Sequence, residues 1–143
     1  MKRQNENKLI LGVKILFYTI SILCVFTGLN YILRGDLMPY HYSYLGRTKD
    51  QIEGKTLVLL ISAAQVIGGM MLGFGAAFGM MTRNIGKSGS KLLPVMTVLA
   101  APPLLVSFRV VLRIGEVIPR ALIAMLIILF TAGLLIMYIR EKE

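Results

Sequence analysis

Four long apolar runs, almost free of charge, set the limits of what this chain can fold into. They are Leu9 to Leu33, broken only by Lys14, then Thr56 to Met81, Leu92 to Phe108, and Val117 to Ile139. A helix crossing a hydrocarbon layer needs about 20 such residues, within a range of roughly 17–25. The third run is at the short end, and Arg109 can extend it by carrying its guanidinium to the interface on an apolar stem. None of the runs alternates with period two, as the strands of a lipid-facing barrel would. Helices satisfy their own backbone groups in lipid, so the runs must be helical. The expectation is an all-α integral membrane four-helix bundle, one domain over residues 1–143, with a long outer connection at 34–55.

Composition agrees. Hydrophobic residues make up 56% of the chain and charged residues only 16%, with a mean hydropathy of +0.72. A soluble domain carries about a quarter charged residues. The net charge of +9 raises the question of nucleic acid. The basic residues flank apolar runs and form no patch interleaved with aromatics, which excludes that partner and points to membrane lipids. Cys24 is the single cysteine; it makes no intramolecular disulfide and reads as a small buried hydrophobe. Met1-Lys2-Arg3 opens like a signal peptide. The apolar run behind it is too long and lacks a small-x-small cleavage site, so it reads as an uncleaved first span.

Orientation follows the distribution of lysine and arginine. With the N-terminus inside, nine lie on the inner side, including Lys2, Arg3, Lys8, Arg83, Lys87 and Lys91, against seven on the outer side. This favours N-in, C-in, multi-pass in a plasma (inner) membrane. In the outer connection, Thr48-Lys49-Asp50-Gln51 fits a capping box and predicts that the second helix begins near Lys49. Residues 82–91 form a glycine- and serine-rich loop. Pro119 suits the first turn of the fourth helix.

Small residues crowd the second span. Ala64 and Gly68, Gly69 and Gly73, and Gly75 and Gly79 are each four apart, a spacing that lets helix backbones approach closely in lipid. Packing within the bundle and a homodimer face both fit. The expectation is that Gly69 and Gly73 lie against another helix, so that Gly73→Leu overpacks it. Pro102-Pro103 should kink the third helix, either as a static bend or as a binding site built from freed carbonyls.

Polar residues gather toward the outer half: Asn30, Gln65, Ser107, Arg109, Arg113, Glu116, Arg120 and, in the connection, His41. Such residues are costly in lipid and tend to face an interior or a cavity. The expected outward-facing pocket uses His41, Gln65, Arg109, Arg113, Asn30 and Glu116 to bind a lipid headgroup or a small polar or anionic ligand. The alternative is interfacial snorkelling with a Glu116–Arg120 pair at helical spacing. Tyr40, Tyr42 and Tyr44 read as interface anchors. One histidine without cysteines makes no metal site, and no catalytic set or cofactor motif emerges. Gly86-Lys87-Ser88 lacks the phosphate-loop glycine, since Met81 stands there. Arg34-Gly35-Asp36 reads as coincidence, and Glu116 is a lone carboxylate.

The segment Leu37-Met38-Pro39-Tyr40-His41, then Leu45-Gly46, then Gln65 ahead of Gly68-Gly69, resembles a set of small four-helix bacterial membrane proteins of unknown function. In those an M-P-Y/F-H segment precedes a Leu-Gly or Val-Gly pair and a helix with a polar residue just before paired glycines. The resemblance covers residues 37–70 and implies a four-span fold and a special role for the His41 loop, but no reaction. In shape alone the chain is also similar to other small four-span proteins such as the DoxX group.

Three functional readings follow. One is a binding protein for a headgroup or small anion, with transport as its extension. The next is an accessory or immunity-type subunit that binds another membrane protein. Last is a membrane enzyme using His41 as acid or base with Glu116, Asp36, Asp50 or Glu53.

Overall fold

The computed structural model describes residues 2–85, 92–115 and 117–142, and these hold helices and turns but no strand. Helix α1 is Lys2–Leu33, α2 Pro39–Leu45, α3 Gly54–Asn84, α4 Leu92–Ile114 and α5 Val117–Lys142, with one 3₁₀ turn at Lys49–Gln51. All but α2 are long and apolar enough to cross a membrane.

Three boundaries differ from the sequence reading, the first being that residues 82–84, expected in the loop, continue α3. Helix α4 runs past Phe108 to Ile114. Hydropathy falls at Arg109, but arginine is a good helix former, and the chain turns only at Gly115, whose φ of 85° suits a residue without Cβ. The capping box at Thr48 forms, with the Thr48 N–H donating to Gln51 Oε1 at 2.9 Å, yet it starts only the 3₁₀ turn. Ile52 is extended, and α3 begins at Gly54.

Helices α1 and α3 are antiparallel and in close register. Gly28 meets Gly68, Ser21 meets Gly75, and Lys14 Nζ donates to the Arg83 carbonyl at 3.4 Å. Along α1 each step of this seam is seven residues. The buried positions Val13, Phe17, Ile20, Cys24 on α1, and Ile123, Leu126, Phe130, Gly133, Met137 on α5, also repeat at three and four. A 3.5-residue repeat is that of shallow-angle, knobs-into-holes packing. A Cβ built on Gly28 would lie 2.6 Å from the Gly68 carbonyl oxygen, and one on Gly75 would lie 2.8 Å from that of Ser21. Ser21 Oγ donates to the Gly75 carbonyl at 2.6 Å.

The close approach is therefore made by Gly68 and Gly75, with Gly79 against Ser21 Oγ, and not by Gly69 and Gly73. Gly69 and Gly73 are exposed, and a Cβ added to either would have nothing within 4 Å. Helical rotation explains the correction. Relative to Gly68, Gly75 and Gly79 fall within about 20°, whereas Gly69 and Gly73 are rotated by about 100° and 140°.

Phe17 packs edge-on to Phe78 at 5.3 Å and stacks with Phe130 at 6.0 Å. Its ring fills the space left by Gly133. Helix α4 packs mainly on α5 and lightly on α3. It continues helically through Pro102 and Pro103, which are exposed. Val98 and Leu99, whose carbonyls the prolines release, are also exposed. Outward faces carry Ile22, Phe26, Leu59, Met70 and Ile128, as a lipid-facing surface does. Leu9 and Ile10 lie beside Ile85, Ile136 and Met137, which puts the start of α1 and the end of α5 at one end of the bundle. The 34–53 connection caps the other.

Candidate functional site

The connection between α1 and α3 is built around one carboxylate. Asp36 Oδ1 accepts the Leu37 N–H at 2.8 Å and the Tyr42 hydroxyl at 2.6 Å, while Oδ2 pairs with Lys49 Nζ at 2.9 Å. Those bonds, that from Tyr42 above all, pull its pKa from 3.8 down to about 2. The same bonds raise Tyr42 and Lys49 above their ordinary values. Asp36 thus ties three points of the chain together.

Helix α2 is short but closed at both ends. Pro39 occupies its first position, where the missing N–H costs nothing. The Met38 N–H donates to His41 Nδ1 at 3.2 Å, which places histidine in the N3 role usually held by Glu or Gln. At the far end Gly46 adopts φ 60°, its N–H donates to Ser43, and the Arg47 N–H donates to Tyr42, a left-handed glycine cap. Leu37, Met38 and Ile52 are buried beneath the cap. His41 lies edge-on to Tyr40 at 4.3 Å and tilted against Tyr31 of α1 at 6.0 Å. The Tyr31 and Tyr40 hydroxyls are hydrogen-bonded. Burial lowers the pKa of His41, and burial with the Tyr31 bond raises that of Tyr40.

An open cleft of about 630 Å³ lies in this cap, lined by residues of the 34–51 segment. Arg34, Arg47 and Lys49 bring three positive charges to it, and Tyr42, Ser43, Thr48 and Gln51 bring hydrogen-bonding groups. Its single carboxylate, Asp36, is already held by Lys49. The chemistry of the lining suits an anion with several acceptor oxygens.

The residues singled out from sequence are placed differently from one another. His41 is half-buried behind the cleft as a structural acceptor. Gln65 turns to α1, where Nε2 donates to the Ile32 carbonyl at 3.4 Å and so satisfies one of the orphan groups at that helix end. Asn30 is exposed on α1, and Arg109 and Arg113 are exposed on α4. None of the three lines the cleft. Arg120 donates to the Gly115 carbonyl. Glu116 and the Gly86-Lys87-Ser88 motif lie outside the described residues. Of the cleft's own members, the sequence reading passes over Arg47, takes Arg34-Gly35-Asp36 as coincidence and Tyr42 as an interface anchor, and offers Asp36 only as an acid–base partner of His41. The available signal is Asp36, an acid following a glycine in a stretch otherwise basic and tyrosine-rich.

Asp36→Ala should release Tyr42, whose ionisation then shifts down toward the ordinary tyrosine value of 10. Alkaline titration of tyrosine absorbance checks this, with Tyr42→Phe identifying the residue. No family model, curated protein or solved structure matches the chain.

Proposed function

We propose that this chain is a multi-pass plasma-membrane protein, N-in and C-in, that binds an anionic headgroup or small anion in the outward cleft of its 34–51 cap. The observation that carries the reading is the cleft itself, with Arg34, Arg47 and Lys49 converging on one opening at the end of the spans. The inward bias of lysine and arginine supports the orientation. Binding, rather than passage, suits the interior, because Phe17 and Phe78 are fully buried and meet Phe130 at the centre of the bundle. The resemblance of the Met38-Pro39-Tyr40-His41 segment to small four-span proteins fits this reading, since Pro39 lines the cleft and His41 closes the first turn of the helix beside it.

Tyr31, Tyr40, Tyr42 and Tyr44 are four of six tyrosines in a chain without tryptophan. Tyrosine fluorescence therefore reports mostly on the cap. Titration of the detergent-solubilised protein with short-chain phosphatidylglycerol should give a saturable change that phosphatidylcholine does not. Inorganic phosphate as competitor separates a lipid site from a soluble-anion site. Equal response to both lipids refutes anion selectivity.

A second reading has its own observation. The outward side of α3 carries Ser62, Gly69, Gly73 and Ala76, all exposed, a small-residue face of the kind that helices in lipid pack against. It favours an accessory subunit, and a stable partner in mild detergent would support it.

A further inference from the structure

We propose that the cap is a proton-operated latch, in which protonation of His41 removes the acceptor that closes the first turn of α2 and dismantles one wall of the cleft. The inference rests on the anion-cleft reading for its function and on the geometry of His41 for its mechanism. Nδ1 accepts the Met38 N–H, so the neutral ring must carry its proton on Nε2. Protonation puts a second N–H at Nδ1, aimed at the Met38 N–H, and the bond is lost. The Met38 N–H at the α2 start then loses its side-chain acceptor.

Among the described residues no ion pair compensates the cation. Tyr31 faces His41 from α1 and Tyr40 from α2, and the cation that acts on Tyr40 is Arg34, a like charge. Among the described residues no carboxylate is ion-paired with His41, and Asp36 is engaged by Tyr42 and Lys49. Burial disfavours the imidazolium, in agreement with the lowered pKa. The sign follows. The ordered cap favours neutral His41, so its contribution is complete above the ordinary value of 6.5 and is lost as pH falls through the lower folded value. The consequence reaches the cleft because Pro39, Tyr42, Ser43 and Gly46, all of α2 or its cap, line it.

The experiment measures binding to nanodiscs containing phosphatidylglycerol between about pH 5 and 8, a range in which the phosphodiester does not titrate. Wild type should lose binding on acidification. His41→Gln supplies the usual, non-titrating N3 acceptor and should bind equally across the range. His41→Ala should bind at the high end as weakly as wild type at the low end. In parallel, the sole histidine gives a single imidazole signal by nuclear magnetic resonance. It should show the Nε2–H form at neutral pH, and its titration should coincide with movement of the Met38 amide. A wild-type profile in His41→Gln, or an unmoved Met38 amide, overturns the latch. Absence of binding at every pH refutes the anion reading alone, and the imidazole and amide signals then decide the latch by themselves.

Discussion

Gly75→Leu should separate α1 from α3 and cause the largest loss of stability of any single change considered. At this point the Ser21 backbone carbonyl lies within 2.8 Å of where a Cβ would be placed, and Val25 lies on the other side. Backbone cannot swing away as a side chain can, so the cost belongs at the upper end of the roughly 1–3 kcal/mol typical of overpacking. The Ser21–Gly75 hydrogen bond is lost as well, though membrane hydrogen bonds average only about 0.6 kcal/mol. Gly73→Leu, two residues earlier on the open face, should leave thermal unfolding in detergent unchanged. Melting curves of the two variants side by side test the register. Equal destabilisation would mean that Gly73 also faces a helix, as in a dimer.

Arg34→Gln combined with Arg47→Gln should reduce affinity for anionic lipid by roughly thirtyfold. Each lysine or arginine near an anionic surface contributes about 1 kcal/mol, and about 2 kcal/mol corresponds to that factor. Lys49 is left in place because it also pairs with Asp36, and removing it would confound binding with cap order. The double variant should keep the wild-type melting temperature in lipid-free detergent. Raising the salt should weaken wild-type binding more than that of the double variant, since screening acts on the charges removed.

The four spans are legible because lipid imposes a length and a polarity that few other folds require. The register between them is not. Three small-residue pairs at spacing four compete in α3, and the apolar residues on every face of the helix give no contrast to say which side meets protein. The seven-residue step from Gly68 to Gly75, matched by Ser21 to Gly28 on α1, is the distinction that pairwise spacing misses. The charged loop misleads in another way. Arg109, Arg113 and Glu116 are conspicuous because they sit against apolar sequence, whereas Arg47 sits among polar neighbours and Asp36 in a tripeptide that reads as coincidence. Yet Asp36 organises the cap through contacts reaching to Tyr42 and Lys49, distances along the chain that no helical or strand periodicity links. Gln65 shows the converse. Its polarity marks it from sequence, but its amide serves the end of α1.

The most direct measurement is native mass spectrometry of the protein released from nanodiscs holding phosphatidylglycerol and phosphatidylcholine in equal amounts. Wild type should retain one phosphatidylglycerol in preference to phosphatidylcholine, and the Arg34→Gln, Arg47→Gln protein should lose that preference while Arg109→Gln keeps it. Retention of both lipids alike by wild type, or a preference that survives the double substitution and vanishes with Arg109→Gln, would contradict a site in the 34–51 cap.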